Sequence, residues 1–475
     1  MTGGVSGRGA VDAHGRPYKD VSFWLEDAGD LDPRPPLEGD IDVDVAILGA
    51  GYTGLWAAYY LQELDPSLRI AIIEKEIAGY GPSGRNGGWC NSSMIGVSAS
   101  ELGRRYGKEA TQRMFKVLRD TVDEIGAVAQ REGIDINWRK AGVLRVAVGE
   151  AEVPSLHSRW EALKELGLDD GCYLLDEAET KKRIAVNGAK GSVFDPHVAF
   201  HQPAKLVRGL ARVVEARGAR IYEQTEVLDV VTGSSAKFRT DRGDVRARTL
   251  VLAGEAYMTS LRGWRRKILP VYSLIALTEP LTDEQWERVG WENGECFSSH
   301  SLSVDYLSKT HDGRIVFGGR GAPYRFGSKV APEFDRHEQT HDLLRSRLKS
   351  WFPQISEVRF THAWGGPLAV TRDWMPSFID DPAAGVVSLY GYAGQGVAPS
   401  NLAGRMIAQS ITGQKDSELF SLPLAKHKAR SWEPEPFRWI GVRYVQSALA
   451  KLDRRSAATG RPPTGKSLAE RLSRH

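Results

Sequence analysis

Apolar residues in this chain follow two rhythms. Short unbroken runs at 45–48 (VAIL), 69–73 (RIAII) and 249–253 (TLVLA) have the length and β-branched content of strands buried on both faces. Between them, 55–64 (LWAAYYLQEL) and the Pro-initiated 203–218 (PAKLVRGLARVVEARG) place apolar residues at helical spacing. Such alternation predicts a parallel sheet with covering helices. Residues 101–132 have helical periodicity, 138–149 read as a strand leading away, and a helical pair rich in Glu and Lys follows. From about 267 to 320 the pattern becomes period-two with turn residues between runs, which predicts an antiparallel sheet. Residues 386–413 return to strand, glycine turn and helix. No internal repeat is present.

The first strand runs directly into Gly49-x-Gly51-x-x-Gly54, and the second ends about twenty residues on at Glu74. Gly49 permits the tight turn, Gly51 lets backbone approach a pyrophosphate, and Gly54 lets the helix pack close to the sheet. Glu74 is placed to accept hydrogen bonds from a ribose. A dinucleotide ligand follows. A second glycine-rich stretch, 79–89 (GYGPSGRNGGW), is too flexible for a strand or helix interior and reads as a ligand-wrapping loop.

Composition narrows the class. The 475 residues, 41% hydrophobic and 26% charged, suit a soluble globular protein of two domains or one large composite. The opening segment has no apolar h-region and no run of about 18 apolar residues occurs, so the expected location is cytoplasmic. Cys90, Cys172 and Cys296 are widely spaced, predicting reduced thiols with neither a disulfide framework nor a metal site. Net charge is +3, yet the last fifty residues carry twelve Lys and Arg against four acids. Those bases sit on no nucleic-acid motif, so nucleic-acid binding is not expected. Phe437, Ile440, Tyr444, Ala448 and Leu452 share one helical face, which predicts a final helix packed on the body with its basic face in solvent. Reversible contact with a membrane surface or a partner is the alternative.

Three motifs, the fingerprint, the 83–88 loop (SGRNGG) and the 391–396 turn (GYAGQG), together resemble the FAD-dependent D-amino-acid oxidase superfamily over roughly residues 41–415. The 364–376 segment (WGGPLAVTRDWMP) and the loop are most similar to the gamma-glutamylputrescine oxidase-like and aminophosphonate oxidoreductase-like branch. The resemblance implies an α/β fold: a Rossmann-type FAD-binding domain (41–107, 186–256, 360–425) with an inserted substrate domain of antiparallel β-sheet plus helices (108–185, 257–359). A surface arm (1–40) and a basic helix and tail (426–475) flank them. It implies noncovalent FAD held by Gly49, Gly51, Thr53, Gly54, Glu74 and Lys75, by Ser83, Arg85, Asn86, Gly87 and Gly88, by Val227 and Gly254, and by Gly394, Gln395, Gly396 and Val397.

The implied chemistry removes a hydride equivalent from a carbon bearing nitrogen; the imine is hydrolysed and dioxygen or another acceptor reoxidises the flavin. Lys267 sits near where related amine oxidases place a lysine that promotes dioxygen reduction. Tyr306 and His300 are further catalytic candidates, beside packing roles for both. Trp89 and Arg320 are substrate candidates, Trp89 as an aromatic wall and Arg320 toward the flavin or an anion. Trp89 and Val370 stand where sarcosine-type members hold a basic pair, which disfavours a simple sarcosine oxidase. Oxidation of a 2-hydroxy acid or polyol, or a flavin-bearing assembly role, are the other readings.

Overall fold

The computed structural model describes residues 9–93 and 96–473 and arranges them around two eight-stranded sheets and a two-stranded ribbon. In the first sheet the spatial order is Ser377–Asp381, Val386–Tyr390, Asp244–Leu252, Ile41–Leu48, Ile70–Ile73, Arg220–Tyr222. Val227–Val231 and Lys237–Thr240 continue from Asp244–Leu252. Ile41–Leu48 is parallel to both neighbours, and Leu48 lies between Leu252 and Ile73. The three strands therefore end together, and this carboxyl edge is where an open α/β sheet takes its ligand.

Helices Tyr52–Leu64, Pro203–Ala216 and Val397–Ile411 share one core on this sheet. The first and third approach closely because Gly404 lacks a side chain: a Cβ there would lie 2.5 Å from that of Trp56. Helix Lys108–Arg131, expected with the substrate domain, puts Met114, Leu118 and Val122 into the same core. Its apolar stripe finds the partner face of Val397–Ile411, which lies far away in sequence.

In the second sheet the order is Phe360–Val370, Leu269–Thr278, Ile315–Arg320, Asp305–Lys309, Cys296–Ser299, Val143–Val148, Ala189–Asp195, Tyr173–Leu175. All neighbours are antiparallel except Cys296–Ser299 and Val143–Val148, so the expected antiparallel sheet is mixed. The chain visits this region more than once, and the parallel seam joins strands from different visits. Ala189–Asp195 and Phe360–Val370, expected in the nucleotide-binding part, also belong here. Each is claimed by a long antiparallel partner, from Leu269 opposite Val370 to Thr278 opposite Phe360 in the second case.

Both chain ends differ from expectation. The N-terminal segment is no surface arm: Tyr18, Trp24 and Leu25 are fully buried. In helix Phe437–Thr459 the predicted inward face points outward, with Phe437, Ile440 and Tyr444 exposed by 69%, 55% and 47%. Val442 packs against the cluster around Trp432 and Trp439 meets the Phe326 ring, but most of what holds that helix is polar. Arg438, 2% exposed, bonds Glu435 and the Arg265 carbonyl, Gln446 bonds the Tyr324 amide, and Asp453 accepts from the Leu302 and Ser303 amides.

Candidate active site

A cavity of about 680 Å³ runs from the carboxyl edge of the first sheet to the inner face of the second. At the sheet edge Gly49 takes φ +97°, and a Cβ on it would meet the Ala253 carbonyl oxygen at 3.0 Å. Gly54 packs as the fingerprint requires: a Cβ would sit 2.1 Å from the Gly49 oxygen. Two helices, Tyr52–Leu64 and Val397–Ile411, begin at the cavity after glycine, so neither is capped by its own N-cap side chain. Ser83 takes the Tyr52 amide, and the other amides at these ends favour a bound anion. Glu74 lines the cavity and accepts from the Ala50 and Glu76 amides at 2.9 and 3.0 Å. Burial, aided by the nearby Glu223 and Glu76 carboxylates, pushes its carboxyl up to about 7. A ribose hydroxyl donating to it would restore the ionised form.

Gly49, Gly51, Thr53, Glu74, Lys75, Ser83, Arg85, Asn86, Gly87, Gly254, Gly394, Gln395, Gly396 and Val397 all line the cavity. Gly54, Gly88 and Val227 do not. Gly54 is used in helix packing, Gly88 is pressed against Phe200 and the His201 carbonyl, and Val227 is buried in the core beneath the first sheet. Most of Arg85 is already engaged within the protein, and its Nε is left without a hydrogen-bond partner. Its guanidinium is clamped by Asp335 at 2.5 Å, the Gly365 carbonyl at 3.1 Å and the Tyr257 hydroxyl at 2.5 Å. Asn86 braces the loop, donating to the Pro82 carbonyl and accepting from the Gly88 amide. The wrapping loop is thus rigid, and it offers the ligand main chain and Ser83, whose hydroxyl accepts from the Tyr52 amide at 2.9 Å.

Toward the second sheet, the Tyr306 ring is seated where a Cβ on Gly87 or on Gly318 would stand about 2 Å from it. Its hydroxyl lies 3.1 Å from Ser273 Oγ, and Trp89 meets the ring edge-on at 6.0 Å. Arg320 donates to the Ala393 carbonyl at 2.6 Å and lies over the Trp374 ring, without a carboxylate partner among the described residues. Burial lowers its pKa to about 10. Trp89, Tyr306 and Arg320 all line the cavity. Lys267 and His300 do not. Lys267 lies over the Trp264 ring at 4.7 Å, and His300 faces Ser155 Oγ at 3.4 Å.

Other cavity residues gave no sequence signal. Glu255 accepts from the Gly391 and Tyr392 amides, its second oxygen is buried without a hydrogen-bond partner, and burial lifts its carboxyl to about 8. Arg145 and Arg159 reach the cavity wall from a strand and a helix. No local motif marks them. Metal ligation was not expected, yet Cys172, Asp195 and His197 bring potential ligand atoms within 4.8 Å of one another. His197 Nδ1 already faces Asp195 at 3.0 Å, and burial holds the Cys172 thiol protonated with its pKa at about 12, so this grouping is a hydrogen-bonded core.

Parallel sheet, glycine turn and two helix N-termini define a dinucleotide-binding oxidoreductase site. Residues 44–410 match the family described as FAD dependent oxidoreductase, and the chain belongs to this family. It is 28% identical over 404 residues to gamma-glutamylputrescine oxidoreductase of Escherichia coli, covering 84% of this chain and 90% of that one. It is 30% identical over 387 residues to a probable oxidoreductase OrdL of Rhizobium meliloti, covering 81% and 86%. The fold is similar to glycine oxidase from Geobacillus kaustophilus, with TM-score 0.68 and 21% identity, covering 82% of this chain and all of that one. The protein is an FAD-dependent oxidoreductase. The unpartnered Glu255 oxygen, the side-chain-free approach at Gly51 and the helix N-termini fit that cofactor.

Proposed function

We propose that this enzyme oxidises the carbon–nitrogen bond of an amine or amino acid to an imine, which water then hydrolyses. The observation that carries the reading is Arg320: a half-buried guanidinium in the cavity wall, beside Tyr306 and the late glycine turn, with no carboxylate partner among the described residues. A substrate carboxylate would supply that partner. FAD, when bound, supplies the ring that accepts the hydride equivalent. The chain's part is to place and condition the amine. Arg320 orients the substrate, Tyr306 and Trp89 wall it in, and burial plus the guanidinium charge disfavour an ammonium, presenting nitrogen in its neutral, electron-rich form. The names of the relatives, an oxidoreductase of gamma-glutamylputrescine and a glycine oxidase, support this chemistry.

Noncovalent attachment is part of the proposal. Cys90 is buried away from the cavity, and burial drives its thiol pKa upward, opposite to what a nucleophile needs. Hydroxy-acid oxidation needs a base or a strong cationic anchor close to the carbinol, and of the two candidates Arg320 lines the cavity as an anchor. His300 lies off the cavity and the Tyr306 hydroxyl is engaged by Ser273, which weighs against a base there.

Anaerobic mixing of the flavoprotein with amines, amino acids and hydroxy acids decides between them. Bleaching of the flavin by nitrogen compounds is expected; bleaching by hydroxy acids alone would overturn the proposal. Cofactor placement has its own check. Gly51→Leu should give folded apoprotein, whereas Glu74→Ala should cost about 1.5–3 kcal/mol of charge-assisted bonding and weaken FAD roughly ten- to a hundredfold.

A further inference from the structure

Two arginines in the cavity wall share one nearby counter-charge, the Asp195 carboxylate, which attracts both but forms an ion pair with neither among the described residues. Arg145 stands on strand Val143–Val148 and donates to Ser298 Oγ at 3.2 Å; Arg159 comes from helix Val153–Leu166. In both, Nε is buried without a hydrogen-bond partner, and neither forms an ion pair among the described residues. They lie near enough that Arg159 helps burial depress the Arg145 pKa to about 9. Every acid around them is otherwise engaged. Asp195 bonds the His197 ring and amide, and Asp305 bonds Arg347, Ser299 and Ser301. Glu152 accepts from the Val148 and His300 amides, and burial pushes its carboxyl up to about 7. His300, held neutral by burial and by these same two arginines, brings no charge.

Two like charges in a protein wall that share one carboxylate are incompletely balanced and costly, and a chain that served only to fold would fill these positions with apolar groups. Both side chains face the space that also holds Arg320 and Tyr306, with Ser298, Ser299 and Ser301 lining the wall between. Accepting amine oxidation as the reaction, we propose that Arg145 and Arg159 bind an oxyanion on the substrate at the end remote from the reacting nitrogen. The substrate is then an amine or amino acid with a distal carboxylate, phosphonate or phosphate group. Two guanidinium forks can share such a group through paired N–H···O bonds. Arg320 serves the reacting end, and the arginine pair selects by charge at the other.

The test measures anaerobic flavin reduction in the holoenzyme by length-matched series: ω-amino carboxylates, aminoalkylphosphonates and neutral alkylamines, each with and without a carboxylate beside the nitrogen. Anion-bearing members should saturate at concentrations at least about tenfold lower than neutral ones, and the carboxylate and phosphonate arms distinguish the two anions. Arg159→Met and Arg145→Gln should erase most of this preference, raising the concentrations at which anionic members saturate toward those of neutral ones. In ligand-free protein, Arg159→Met should preserve the melting temperature, since the half-buried Arg159 forms no ion pair among the described residues. Equal saturation by neutral and anionic members, or variants that slow both alike, would overturn the proposal. Should no nitrogen compound bleach the flavin, the amine reading fails separately. The arginine pair is then judged by whether non-oxidisable alkylphosphonates and dicarboxylates perturb the flavin spectrum of wild type but not of Arg159→Met, and their silence in both sinks it.

Discussion

The two ends of the chain, 9–40 and 426–473, both lie outside the stretch that matches the family, and the structure treats them in opposite ways. The N-terminal segment enters the wall of the cofactor site. Trp24 donates to the Asn86 carbonyl at 2.7 Å, Ser22 to the Gly84 carbonyl, and Arg16 pairs with Asp335, which itself clamps Arg85. His14 reaches the cavity. The C-terminal helix instead rests mainly on a few polar contacts while Phe437, Ile440 and Tyr444 face water. Apolar spacing alone therefore does not say which face a terminal helix buries; the available partner surface does.

The largest effect that would sharpen the contrast belongs to Trp24→Ala. It removes a fully buried indole and a hydrogen bond to the wrapping loop, and should cost about 3–5 kcal/mol and much of the flavin content. Thermal unfolding with flavin absorbance reads both, and a stable yellow variant would mean the segment is ornamental. Acid should loosen the same segment. Burial opposes ionisation of Asp12, but the Arg16 and His14 amides, Tyr80 and Arg16 outweigh it, so its folded-state pKa is lowered from 3.8. Its stabilisation is complete above pH 3.8 and is lost as pH falls through the lowered value. Urea midpoints of wild type and Asp12→Asn should converge as pH falls below 3.8, and curves that stay parallel would remove Asp12 from the account.

Smaller changes await the other end. Asp453→Ala deletes two hydrogen bonds to the Leu302–Ser303 turn, next to cavity residues Ser301 and Val304. About 1 kcal/mol or less of stability should go, with flavin content intact and substrate affinity reduced a few-fold. Loss of flavin would contradict the contrast between the ends. Smallest of all, replacing Phe437, Ile440 and Tyr444 by serine should move stability within about 0.5 kcal/mol per site, as for other exposed positions. A large loss by calorimetry would show that this face is covered in solution.

What the sequence determined by itself was the nucleotide-binding edge. Strand, turn and helix start are contiguous there, and glycine is demanded by local geometry: positive φ at Gly49, close approach at Gly54. Glu74 belongs to the same local unit because the second strand must end beside the first. Residues whose roles depend on distant partners were beyond it. Arg85 looked like a phosphate ligand, and only the fold showed Asp335, 250 positions away, already against it. Lys267 and His300 lay near suitable neighbours in sequence yet face away from the cavity. Arg145 and Arg159 become a pair only when a strand and a helix converge on one wall, and the sheet that receives them is assembled from separate passages of the chain. Turn geometry is encoded within a few residues, whereas the charge balance of a cavity is a property of every segment that reaches it, so only the tertiary structure could decide the substrate side.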